Sequence, residues 1–225
     1  MNLRRNNIGD DATKLISELL QTNSTLTNLD IAENNIGDGS HSIFESLKIN
    51  TTLSDLYLGG NRIGVDGATS IYLSLLINST LKNLGLRANN IGDNGTKLIS
   101  EALQINSTIT SLYLGRNSIG NTGAISVFEV LQSNSTLTTL DLSDNNIGDA
   151  AVQLISDLLQ GNSTLTKLNL RGNKIGISDV PIASLINRNE QFLKSYFEKI
   201  INLKNEPNMN QITTFVENHK VYLNR

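Results

Sequence analysis

Leu26, Leu53, Leu81, Ile109, Leu137 and Leu165 fall into register when the chain is laid against itself, with spacings of 27, 28, 28, 28 and 28 residues. A period of that length makes each copy one small structural unit that cannot cover its own apolar face, so neighbours have to stack into a solenoid. Each copy opens the pattern L-x-x-L-x-L-x-x-N-x-I-G, as in Leu26, Leu29, Ile31, Asn34, Ile36 and Gly37, or in Leu137, Leu140, Leu142, Asn145, Ile147 and Gly148. A truncated first copy survives as Leu3, Asn6, Ile8 and Gly9. Seven copies cover roughly residues 1–189.

Within a copy, the L-x-L step has period two and predicts a short strand with alternate side chains buried. The stretch that follows, such as Gly95 to Gln104, carries Leu98, Ile99 and Leu103 at helical spacing. One strand and one helix per copy predict an α/β solenoid with a parallel sheet on the concave face and helices on the convex face. The single 27-residue step belongs in the turn after Gly37, where Asp38 and Gly39 stand against Val65, Asp66 and Gly67 of the next copy. A deletion there leaves the strand and helix registers intact. The repeat pattern ends near Pro181, and residues 190–225 are expected to form a helical cap. Phe192, Tyr196, Phe197, Ile200 and Ile201 lie at helical spacing between Gln191 and Lys204, and a second helix is expected from about Asn210 to Tyr222. No cap precedes Met1, which leaves the first strand edge open unless an earlier segment or a partner protects it.

These features resemble the ribonuclease-inhibitor-like class of leucine-rich repeats, which also builds the sensor horseshoe of NOD-like receptors and the body of the Ran GTPase-activating proteins. Repeat length, the N-x-I-G-x-x-G turn and the closing N-S-T-L step carry the resemblance. A lone repeat domain rich in Asn, Ile and Ser is also similar to the leucine-rich-repeat effectors of intracellular bacteria. The shorter, proline-containing repeats of bacterial ubiquitin-ligase effectors are a different pattern, and a cysteine-bearing ligase domain is absent.

Composition narrows the function. Eighteen Lys and Arg against 21 Asp and Glu leave no surplus for neutralising phosphates, which argues against nucleic acid and against a membrane surface. There is no cysteine, so no disulfide framework and no thiolate nucleophile, and a cytoplasmic location is expected. No stretch reads as a signal peptide or a membrane span, although a specialised route could still carry such a protein into a host cytosol. His41 and His219 stand far apart in a solenoid and cannot assemble a metal site or a nucleophile-base pair. No cofactor, no metal and no enzyme activity are expected, and the free protein is read as a monomer. Phe192, Tyr196 and Phe197 are read as buried beneath the cap and not as a docking surface.

Several motifs have structural explanations. Asn34, Asn61, Asn89, Asn117, Asn145 and Asn173 recur once per copy at a fixed turn position, which predicts a ladder serving buried backbone groups. The N-x-T triplets at Asn23, Asn50, Asn78, Asn106, Asn134 and Asn162 share that period and are read as helix-to-strand turns, not glycosylation acceptors. Gly pairs such as Gly92 with Gly95 lack the lysine and the strand-Gly-helix context of a phosphate-binding loop.

Function is sought in the outward strand positions, which the repeat does not dictate. Between the second and third apolar positions the column reads Asn2, Asp30, Tyr57, Gly85, Tyr113, Asp141 and Asn169. With strands about 4.8 Å apart, Tyr57 and Tyr113 should stand roughly 10 Å apart and leave a slot over Gly85. Arg87 and Arg116 border the same region, with Asp30, Glu33 and Asp55 on one side and Asp141 and Asp144 on the other. Tyrosine and arginine are the residues most often found as interface hot spots. The candidate site is therefore partner-binding: another protein held in the concave face, with occlusion of its active site implied by the resemblance to ribonuclease inhibitor. The alternative, a GTPase activator, rests on the resemblance to the Ran-activating proteins, whose short acidic tail is absent here.

Overall fold

The computed structural model describes residues 1–175 together with residues 186, 187 and 189. The expected cap, with Phe192, Tyr196 and Phe197, and His219 lie outside the described residues.

Helices α1 (Gly9–Thr22), α2 (Ser40–Leu47), α3 (Gly64–Leu75), α4 (Gly92–Leu103), α5 (Asn121–Leu131) and α6 (Asp149–Leu159) alternate with three-residue strands. The strands are β1 (Asn28–Asp30), β2 (Asp55–Tyr57), β3 (Asn83–Gly85), β4 (Ser111–Tyr113), β5 (Thr139–Asp141) and β6 (Lys167–Asn169). They form one open parallel sheet in sequence order. The truncated first copy extends it, because Asn2 bridges to Asp30. The architecture is the α/β solenoid that the period predicts.

The middle leucine of each strand from Leu29 to Leu140 faces inward and is essentially inaccessible, as are Ile31, Leu58, Leu86, Leu114 and Leu142 just beyond. These meet Ile43, Ile71, Ile99, Val127 and Ile155 from the helices, with Phe44 and Phe128 filling the widest spaces. Strand and helix bury opposite edges of one continuous apolar slab, so each copy depends on its neighbours for burial.

The two asparagine columns hold the turns. Asn61 Oδ1 accepts from the Asn34 amide at 2.8 Å, Asn89 Oδ1 from Asn61 at 2.9 Å, and Asn117 Oδ1 from Asn89 at 2.8 Å. Each Nδ2 donates back to carbonyls of its own copy and of the copy before, as Asn89 does to Leu86 and Leu58. The side chain thus supplies partners to turn groups that no strand can reach. On the other side, Asn78 Nδ2 donates to Leu47 O at 2.8 Å at the end of α2, while its Oδ1 accepts from the Thr80 and Leu81 amides. Asn50, Asn106, Asn134 and Asn162 repeat that arrangement and are buried with it. The N-x-T triplets are structural turns.

The one-residue deletion appears where expected. Gly37–Gly39 forms a tight 3-10 turn that leads into α2, which has 8 residues against 12 in α3. The missing residue shortens the entry to the helix and leaves the strand pairing of β1 with β2 unchanged.

Candidate functional site on the concave face

The strand register brings Asp30, Tyr57, Gly85, Tyr113, Asp141 and Asn169 side by side as one outward column. The column divides by chemistry. Asn2, Asp30, Asp141 and Asn169 each turn Oδ1 onto the amide two residues later, at 3.0, 3.0, 2.8 and 3.1 Å, and so brace the exit from the strand. Tyr57, Gly85 and Tyr113 have no carboxylate or amide to do this. The three central strands have exchanged a bracing group for two phenols and a gap.

That gap is not an empty slot. A Cβ built on Gly85 would lie 2.6 Å from Tyr57 Cδ1, so the Tyr57 ring leans across Gly85 toward Tyr113. With no side chain at residue 85, the ring settles onto its backbone, where it gains contacts that an upright ring would lack. The two tyrosines form a half-buried floor in place of two separated walls. Burial is the main cause that raises the Tyr57 phenol above its ordinary pKa, and nearby Asp55 adds to it.

Around this floor lies a concavity of about 660 Å³, into which Asp30, Glu33, Arg87, Arg116 and Asp141 also face. Sequence reasoning placed those residues together with the tyrosines but omitted Arg4 and Arg5, which line the same concavity. Their signal was available, since they occupy the columns of Arg87 and Arg116. Two of the nine candidates sit differently. Asp55 starts β2, accepts from Asn83 Nδ2 and lies outside the lining. Asp144 is also outside it and acts through the arginines.

The charges form two clusters. Glu33 receives both Arg4 and Arg5, the latter at 2.6 Å, and hydrogen bonds from Arg5 and Arg4 hold its carboxyl down to about 2. Asp144 receives Arg87 at 2.6 Å and Arg116 at 3.1 Å, which likewise lowers its pKa. Arg87 reaches Asp144 by passing over Gly115, where an added Cβ would meet its Nη1 at 2.4 Å, and it donates to Ser143 Oγ at 3.0 Å on the way.

The backbone beneath is left-handed. Arg5, Glu33, Ala88, Arg116 and Asp144 have φ between 54° and 61°, in the column where Gly60 and Gly172 take 71° and 76°. Left-handed backbone costs an L-residue roughly 1 kcal/mol that glycine avoids. Four charged side chains are carried where the turn favours glycine, and all four belong to the two clusters.

Among the described residues, no group of His, Cys, Asp or Glu is placed to hold a metal ion, and no helix is long and apolar enough to cross a membrane. His41 rests against Ser70 Oγ at 2.9 Å on the convex side.

Comparison with known proteins agrees with this architecture. A family model described as "Leucine Rich repeat" matches residues 22–40, 50–71, 106–128, 133–156 and 161–177, together just under half of the chain. No curated protein sequence matches. Among solved structures, the fold resembles leiomodin-1 actin-binding site 2 with a TM-score of 0.63 and 22% identity, over 72% of this chain and 95% of that one. Internalin C2 of Listeria monocytogenes aligns with a TM-score of 0.46 and 22% identity, over 82% of this chain and 74% of its own. Internalin F of the same organism gives 0.47 and 25%, over 76% of this chain and 48% of its own. For leiomodin-1 actin-binding site 2, at 22% identity, the likeness is one of fold.

Proposed function

We propose that this leucine-rich-repeat solenoid binds another protein in its concave face, with Tyr57 and Tyr113 as the anchors. The observation that carries the reading is the exchange in the central column. Flanking strands use Asp or Asn to brace the turn, whereas Tyr57, Gly85 and Tyr113 contribute nothing to it. Tyrosines supply large contact area at little entropic cost, and here they sit at the centre of a concavity ringed by arginines and carboxylates. Charged residues held in left-handed backbone around it support the same reading. Binding of this kind covers a partner's surface, so its functional form is occlusion. The actin-binding site in leiomodin-1 is a property of that protein; here the partner has to be found.

The test is capture of partners from lysate by the immobilised protein and by the Tyr57→Ala, Tyr113→Ala double variant, with circular dichroism to confirm that the variant keeps its fold. A specific partner lost with the fold intact supports the concave site. Capture that is unchanged moves the site elsewhere on the solenoid. If the captured partner is an enzyme, a turnover assay with added protein should show slowing; acceleration would refute occlusion.

A further inference from the structure

The spacing of the two tyrosines says what kind of segment the concave face accepts, a step that rests on the concave-binding reading above. We infer that the occupant is a proline-rich segment in the polyproline II conformation, lying across the strands with two residues three apart in its sequence on Tyr57 and Tyr113.

Three observations lead there, and the first is a match of repeats. Tyr57 and Tyr113 rise from strands two steps apart in the parallel sheet, ~9.6 Å at ~4.8 Å per step. A polyproline II helix brings side chains back to the same edge every three residues, or about 9.3 Å, so one turn covers the aromatic floor from end to end. An extended β-strand repeats its face at ~6.6 Å and ~13 Å and cannot seat same-face residues at both ends of that floor. The Tyr57 ring leaning over Gly85 keeps the floor shallow, and Gly59, Gly60 and Ala88 beside it leave room for a backbone to lie close.

The second observation is a set of unused donors at the floor. Neither phenol oxygen has a hydrogen-bond partner among the described residues, and Arg116 engages Asp144 through Nε alone, leaving both terminal amino groups without one. A polyproline II backbone has no internal hydrogen bonds, so its carbonyls are free to accept, and its prolines bring no N–H that the floor would have to satisfy. An α-helix closes its carbonyls on itself and would leave these donors idle. The third observation is charge balance. Each arginine pair faces two carboxylates, Glu33 and Asp30 at one end and Asp144 and Asp141 at the other, so the face favours neither sign. Selection then falls to shape and donors, which suits an uncharged segment that is already ordered when free and docks on aromatic rings at low entropic cost.

The experiment uses the full chain, immobilised, and three pools of nine-residue peptides randomised over uncharged residues other than proline. The pools carry fixed prolines at the fourth and seventh positions, fixed prolines at the fourth and sixth, or fixed alanines at the fourth and seventh. Retention of the first pool at least fivefold above each of the others is expected, with less than a twofold change in 0.5 M salt. It should fall at least threefold in the Tyr57→Phe, Tyr113→Phe double variant, which keeps both rings and removes both hydroxyl donors, and whose circular dichroism is checked against the parent. Equal retention of the two proline pools, preference for the alanine pool, loss of retention in salt, or retention that survives in the Tyr57→Ala, Tyr113→Ala variant overturns the inference. The underlying reading fails separately: if lysate capture depends on Tyr57 and Tyr113 while the first pool shows no advantage, the concave site stands and the proline-rich occupant does not.

Discussion

Replacing Asn89 with alanine isolates the energetic contribution of the asparagine ladder. Its Oδ1 accepts from the Asn61 amide at 2.9 Å and the Ile63 amide at 3.3 Å, and its Nδ2 donates to Leu58 O at 2.9 Å and Leu86 O at 3.0 Å. The two carbonyls each keep another amide, from Asn61 and Asn117 respectively, so they lose little. The two N–H groups lose the acceptor that holds them, and both belong to residues buried at 5% exposure or less. An orphaned buried donor costs about 1–3 kcal/mol, so the expected loss is about 4 kcal/mol. Asn6→Ala is the internal control: its Nδ2 donates only to Leu3 O and Arg4 O at an exposed edge that water can reach. Its cost should stay below about 1 kcal/mol. Urea unfolding followed by far-UV circular dichroism measures both, with the midpoint and slope compared separately because a solenoid can lose structure repeat by repeat. The reasoning is refuted if Asn89→Ala destabilises no more than Asn6→Ala.

Other outcomes follow from the site. Gly85→Ala puts a methyl group 2.6 Å from Tyr57 Cδ1 and should lift the ring, weakening partner capture at least tenfold with little change in the urea midpoint; unchanged capture would show that the leaning ring is irrelevant. Gly115→Val blocks the path of Arg87 to Asp144, so the Asp144 carboxyl pKa should rise on titration followed by carboxyl NMR, and a value that stays put refutes the contact. Glu33 has a folded-state pKa of about 2 against an ordinary 4.5, so its pairing favours the folded state in full above pH 4.5 and is lost as pH falls through about 2. A Glu33 carboxyl midpoint at or above 4 in the same experiment would contradict the double arginine contact.

Much of this molecule could be read from spacing. Period, strand, helix and the outward columns follow from where leucine and asparagine recur, because burial and backbone satisfaction repeat with the chain. The deletion after Gly37 could be located because everything around it kept register. What spacing does not encode is how a side chain uses the room its neighbours leave. Tyr57 and Tyr113 read as parallel walls because a column gives positions and not rotamers, yet the absent side chain at Gly85 lets one ring lie down. Asp30 and Asp141 read as carboxylates waiting for a partner, yet each already commits an oxygen to its own turn. Arg4 and Arg5 stand two copies from Tyr57 and four from Tyr113, and the column pattern alone does not say that so distant a pair lines the same concavity.

The ladder also determines how the molecule would respond to tension. Its hydrogen bonds run from copy to copy, along the line that joins the two ends of the array. A pull on those ends loads every interface in series, with no strand sliding past another to share the force. Copies would then peel off singly, each releasing about 28 residues, or roughly 90–100 Å of chain at ~3.3–3.6 Å per residue. Beside α2, whose 8 residues offer the least helix to grip a neighbour, the array should part first.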